Sequence, residues 1–167
     1  PVPAPPPRER IEVRRPSPIA LNFDSNAFQR KPDGKIFKKY EIQTTSRLHQ
    51  PGEDPVEDLQ IISNVLDSYR TIFQENPIAG TNVEVMTALT GDNEYDLVFI
   101  DPDHPAINED GELTDRWGTP FFFHAVSSKQ PIDVYSAGPD KERGTGDDIA
   151  ISERGTASLR DRDQSDE

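Results

Sequence analysis

The chain has 167 residues, room for one ordinary domain with irregular ends. Only 32% of it is hydrophobic, 16 residues are proline and the mean hydropathy is -0.76, so part of it is expected to lie outside any core. A net charge of -13 weighs against phosphate-backbone binding, and the lack of cysteine removes disulfides, thiolate zinc sites and a cysteine nucleophile; no apolar run is long enough to span a membrane.

Residues 1–20 are proline-rich and then basic, with Arg8, Arg10, Arg14 and Arg15 against Glu9 and Glu12. They read as an extended, disordered linker of net charge +2, which leaves -15 for the rest. Residues 21–53 form a strand-like stretch and connector. Lys31-Pro32-Asp33-Gly34 is a turn signal there, Tyr40 and Ile42 at period two predict a half-buried strand with Ile36 and Phe37, and Pro51-Gly52 ends a polar connector.

The folded domain is expected over 54–151. Asp54 can cap a helix, Pro55 suits its first position, and Glu57 has capping-box spacing; Leu59, Ile62, Leu66, Tyr69 and Phe73 then repeat every three or four residues, predicting a core-facing helix from Pro55 to Phe73. The Thr81 to Glu84 spacing opens a second helix over Asn82–Leu89, closed by Gly91. Strands are predicted at Tyr95–Ile100, Phe121–Val126 and Ile132–Tyr135, and a polar, disordered tail over 152–167. Short connections between successive strands imply antiparallel pairing. The expected fold is α+β, a long helix packed on a small antiparallel sheet of three to four strands.

The chemistry concentrates in the loop 137–148. Asp140, Asp147 and Asp148 offer carboxylates, and Gly138, Gly144 and Gly146 permit turns that aim carbonyl oxygens inward. Such a set suits calcium, which takes six to eight oxygens at about 2.3–2.6 Å, better than magnesium with its strict octahedron, and it offers zinc neither histidine nor cysteine. It is not an EF-hand, because counting from Asp140 puts Thr145 at the sixth position and Ile151 at the twelfth. On composition alone, a calcium cradle and a solvated Asp/Gly turn fit this loop equally well. In the acidic stretch 101–112, Asp101, Asp103 and Glu112 have partial calcium-loop spacing that Pro105 and Ala106 interrupt, so it reads as a solvated face, with a second, weak ion site as the alternative.

Three segments in order, TDRWGTPFFFH, PIDVYSAGPD and GTGDDIAIS, resemble the C-terminal part of the major pseudopilin of type II secretion systems. The resemblance covers about 112–151 and, more generally, the preceding helix. It implies a pseudopilin-like head whose loop binds calcium through the side chains of Asp140, Asp147 and Asp148 and backbone oxygens near Ala137 and Gly144. It also implies a structural turn at Trp117, Gly118 and Pro120. Arg116 stands where the family usually has proline and Thr119 where it has asparagine, and the family's long apolar N-terminal helix has no counterpart in these residues.

The resemblance implies a non-enzymatic structural or assembly module, exported and periplasmic, cell-surface or inner-membrane-tethered. Its partners are proteins, including other pseudopilin-like subunits or secretion machinery. No nucleic acid is expected, and membrane contact only through a segment outside this chain. The alternatives are an exported or tethered calcium-binding interaction domain outside any filament and, third, a metal-dependent hydrolase. Ser127, His124 and Asp133 could be assembled into a triad on paper, but no nucleophile elbow accompanies them. His124 is expected to be a bonded structural histidine in its strand, and His104 an exposed loop residue.

Overall fold

The computed structural model describes residues 21–77, 80–152 and 155–158, so the expected linker 1–20 and the tail beyond Ser158 lie outside the described residues. The elements in order are β1 (Phe28–Arg30), β2 (Ile36–Lys38), α1 (Lys39–Thr45), α2 (Pro55–Phe73), α3 (Asn82–Leu89), β3 (Leu97–Val98), β4 (Phe122–His124), β5 (Asp133–Ser136), β6 (Ile149–Ser152) and β7 (Gly155–Ser158). They make two sheets, β1-β2-β3 and β4-β5-β6-β7, the second wholly antiparallel. The long helix α2 packs on β5 and β6, which gives the α+β layering that the sequence predicts.

Both predicted helices form with their caps. The Asp54 side chain accepts from Val56 N at 2.9 Å, and α2 ends at a left-handed Gln74 (φ 63°). Thr81 accepts from Glu84 N at 3.2 Å, and the Glu84 carboxylate accepts from Gly80 N at 3.1 Å, tying the chain on both sides of the α3 start. Leu59, Ile62, Val65 and Leu66 of α2 are buried with Leu89, Leu97, Phe99, Leu113, Phe121, Phe123 and Val134 in one core. Phe23, Phe28 and Ile36 join it. Phe23 meets Tyr95 at 5.8 Å between ring centres and Tyr95 stacks on Phe73 at 5.3 Å, so residues before the connector share the core with α2.

Three expectations need correction. The strand predicted through Tyr40 and Ile42 stops at Lys38, and α1 takes over. Helical geometry turns Glu41 inward, where its carboxylate accepts from Ser68 of α2 at 2.7 Å and pairs with Lys38, while Tyr40 is left exposed. The predicted strand Tyr95–Ile100 contracts to β3, which pairs parallel with β2 and not with the C-terminal strands. The Phe99 and Ile100 N–H groups donate to Leu89 O at the end of α3, and Asn93 brackets Leu97 by accepting its N–H and donating to its carbonyl, so this backbone is committed before β4 arrives. Finally, the irregular tail expected from Ser152 contains β7, which pairs with β6 from Ile149↔Ser158 to Ser152↔Gly155. A polar sequence can still form an outer strand, because the ladder is made by backbone groups.

The departure at Arg116 also finds its reason. Asp58 is almost wholly buried in the first turns of α2, and Arg116 Nε donates to its Oδ2 at 2.6 Å while His49 N donates to Oδ1 at 3.0 Å. Arg116 Nη1 also donates to Glu53 O at 2.7 Å, so one guanidinium joins the connector, the helix start and the tryptophan turn. The bond to Asp58 pushes the guanidinium's pKa further up.

Removing only the arginine leaves the Asp58 carboxylate buried and short of partners. Arg116→Met is therefore expected to cost about 3 kcal/mol in urea unfolding at pH 7, and the double change Asp58→Leu with Arg116→Met to recover much of it.

Candidate metal centre and the turn that abuts it

The tryptophan turn is organised by a residue that the sequence reading does not single out. Asp115 is 2% exposed, and its Oδ1 accepts from Trp117 N at 3.0 Å and from Thr119 N at 2.9 Å. Its own N–H donates to Thr119 O, Gly118 N donates to Asp115 O, and Gly118 takes φ 87°. The turn is closed by a bridge between Thr114 and Pro120. Trp117 is half-buried, Gly118 exposed and Pro120 half-buried, as suits a structural turn leading into Phe121. The signal for Asp115 was present as an aspartate two residues before Trp-Gly, the spacing of an Asx turn.

From that turn a bond crosses to β5. Ser136 Oγ donates to Asp115 Oδ2 at 2.7 Å, with both groups buried, and accepts from Gly138 N at 3.2 Å. The acidic loop begins at that glycine. Gly138 has φ 74°, and a Cβ there would stand 2.4 Å from Asp147 O, so the loop's entry and exit pass too closely for any side chain.

The loop folds its three predicted aspartates together. One oxygen from each of Asp140, Asp147 and Asp148 lies within 4.8 Å of the others. Asp140 is exposed, Asp147 half-buried and Asp148 buried. Asp147 Oδ2 accepts from Asp140 N at 3.0 Å, Asp148 Oδ2 accepts from Gly144 N at 2.7 Å, and Thr145 Oγ1 lies 2.6 Å from Asp147 Oδ1 and 3.1 Å from Asp148 Oδ1. The Thr145 hydroxyl, aided by the Asp140 backbone N–H, holds the Asp147 carboxyl below the usual carboxylate range, against a smaller opposing effect of desolvation. Gly144 turns at φ 84°, and Ala137, 2% exposed, sits between Ser136 and the Gly138 turn.

The donor set fits a hard cation. Oxygens on opposite sides of an ion with bonds of about 2.3–2.6 Å stand roughly 4.6–5.2 Å apart, and the 4.8 Å span of the carboxylate oxygens falls within that limit. All the side-chain donors are oxygen, and the preceding Gly138 contact leaves two chain segments in register around them. Arg143, in the middle of the loop, lies 3.5 Å above the centre of the Phe122 ring, which pins the loop to β4.

Other candidate groups fall elsewhere. Strand alternation sends Phe121 and Phe123 inward and leaves His124 exposed beside Phe122, where a bonded structural histidine was expected. His104 is half-buried where exposure was expected: its Nδ1 accepts from Ala106 N at 3.0 Å, which places the proton on Nε2, and Nε2 donates to Thr45 O at 2.8 Å. In the acidic stretch, Asp101 and Asn108 side chains cap local turns, and among the described residues the only three-carboxylate group close enough for an ion is the one in the 137–148 loop.

Because Gly138 combines a left-handed backbone with contact against a main-chain carbonyl, Gly138→Ala is expected to destabilise the domain by about 2 kcal/mol or more. Amide shift changes in an NMR spectrum should centre on 138–148 and spare α2 and α3.

A family model described as type II secretion system, protein G, matches residues 49–154. Among solved structures, the major pseudopilin from the type 2 secretion system of enterohaemorrhagic Escherichia coli is similar at 22% identity and a TM-score of 0.37, covering 67% of this chain and 86% of that one. A search of curated proteins finds no match. The family match spans most of the chain, including α2, the tryptophan turn and the whole acidic loop, and the chain therefore belongs to the type II secretion system protein G family.

Proposed function

We propose that this chain is the globular head of a structural subunit in a type II secretion assembly, working outside the cytoplasm and held rigid by calcium in the 137–148 loop. The observation that carries the reading is the convergence of the Asp140, Asp147 and Asp148 oxygens within 4.8 Å, in a chain of this family. Bound calcium supplies the positive charge that cancels repulsion among these carboxylates. The protein's own residues do the rest. Asp148, bonded to Gly144 N, forms the buried floor, Asp147 and Asp140 close the exposed side, and backbone oxygens of Ala137 and Gly144 complete the ligand set.

The product of binding is a stiff edge between β5 and β6, which is what a subunit that packs against neighbours requires. Its partners are other pseudopilin-like subunits or the secretion machinery. No catalytic role is assigned. Among the described residues no helix is long and apolar enough to cross a membrane.

A tethered calcium-binding domain outside any filament is the second reading, favoured by the N-terminal layer. Residues 21–48 precede the family match yet build β1, β2 and α1 into the same core. Immunogold labelling of secretion filaments with antibody to this chain distinguishes the two, since decorated filaments would remove the second reading.

With calcium at about 1,000 times its dissociation constant, linkage adds roughly 4 kcal/mol to folding, so the thermal midpoint is expected to stand about 10 °C higher in calcium than in chelator. Asp147→Ala should abolish that difference. An unchanged wild-type midpoint would sink the calcium reading.

A further inference from the structure

Resting on the calcium reading, we infer that Asp115 and Ser136, which are not ligands, are positioning residues that set the affinity of the ion site from the tryptophan turn. The path is continuous. Asp115 Oδ2 takes the only proton of the Ser136 hydroxyl at 2.7 Å, which orients the serine's lone pairs toward Gly138 N at 3.2 Å. Gly138 O then accepts from Lys141 N at 3.1 Å, closing the turn that carries Asp140, and Asp140 N donates to Asp147 Oδ2 at 3.0 Å.

Gly138 is the pivot of this path. It is a glycine at φ 74° whose Cβ position would lie 2.4 Å from Asp147 O, so rotation there shifts Asp140 against Asp147. Its N–H and its carbonyl are both bonded. The partner of the N–H is Ser136, and what aims Ser136 is a carboxylate 21 positions earlier, itself fixed by the N–H groups of Trp117 and Thr119. This is how outer-shell groups tune a metal site: they hold the ligands in the geometry that the ion needs before it arrives.

The experiment is calcium titration by calorimetry on the full chain, with thermal unfolding in chelator alongside. Ser136→Ala and Asp115→Asn are expected to raise the calcium dissociation constant about 10–100-fold. Asp115→Asn keeps an acceptor for Trp117 and Thr119 but offers Ser136 an N–H in place of the acceptor it now has, so it carries the test should Ser136→Ala not fold. Ser136→Thr, which keeps the hydroxyl, should bind within about threefold of wild type. Asn93→Ala is the control. Asn93 bonds Ala88 O, Leu97 N and Leu97 O, away from the tryptophan turn and the acidic loop, so its loss should lower the midpoint in chelator yet leave the dissociation constant within about threefold. Wild-type affinity in Asp115→Asn, or an equal loss of affinity in Asn93→Ala, overturns the inference. Absence of calcium uptake by the wild type overturns the calcium reading itself and the inference with it.

Discussion

The bond from Ser136 to the buried carboxylate of Asp115 is where the two best-specified pieces of the chain meet. One oxygen of Asp115 organises the tryptophan turn, and the other fixes the last residue of β5, one step before the loop opens. A buried carboxylate is expensive unless its lone pairs are taken, and here three donors take them. The turn and the loop are therefore joined through one buried bond, although about twenty residues of strand and connection separate them along the chain.

A second buried acid plays the same part at the other end of the turn. Asp58 receives Arg116 and the backbone of His49, and Arg116 reaches on to Glu53 O. Consecutive residues, Asp115 and Arg116, thus serve different elements: one secures the end of β5, the other secures the start of α2. A proline at 116 could offer Asp58 no donor at all, so the arginine and the aspartate are intelligible only as a pair. The net stability that such a pair adds is modest, since the desolvation of both charges offsets much of their attraction.

The acidic loop inherits its shape from these anchors. Its ends are brought together by Gly138 against Asp147 O, its middle is laid on Phe122 by Arg143, and its carboxylates are held in place by N–H donors and Thr145. The three carboxylates are thus gathered largely by the fold itself.

Much of this was legible along the chain because it depends on local physics. Caps at Asp54 and Thr81 and the apolar stripe of α2 act within a few residues, so both helices could be placed from spacing; the three aspartates lie close enough in sequence that glycine turns alone could gather them. What the sequence could not show was every feature decided by partners far away. The helix at Lys39–Thr45 depends on Glu41 reaching Ser68, and the parallel pairing of β3 depends on Leu89 and β2 taking its backbone groups. The outward face of His124 depends on which side of β4 meets the core, and the role of Asp115 on a serine 21 positions later. Propensity and spacing determine which elements can form and which ligands can cluster. Only the tertiary structure decides which buried polar groups find each other, because that choice is settled by the cost of leaving any of them unpaired once the core has closed.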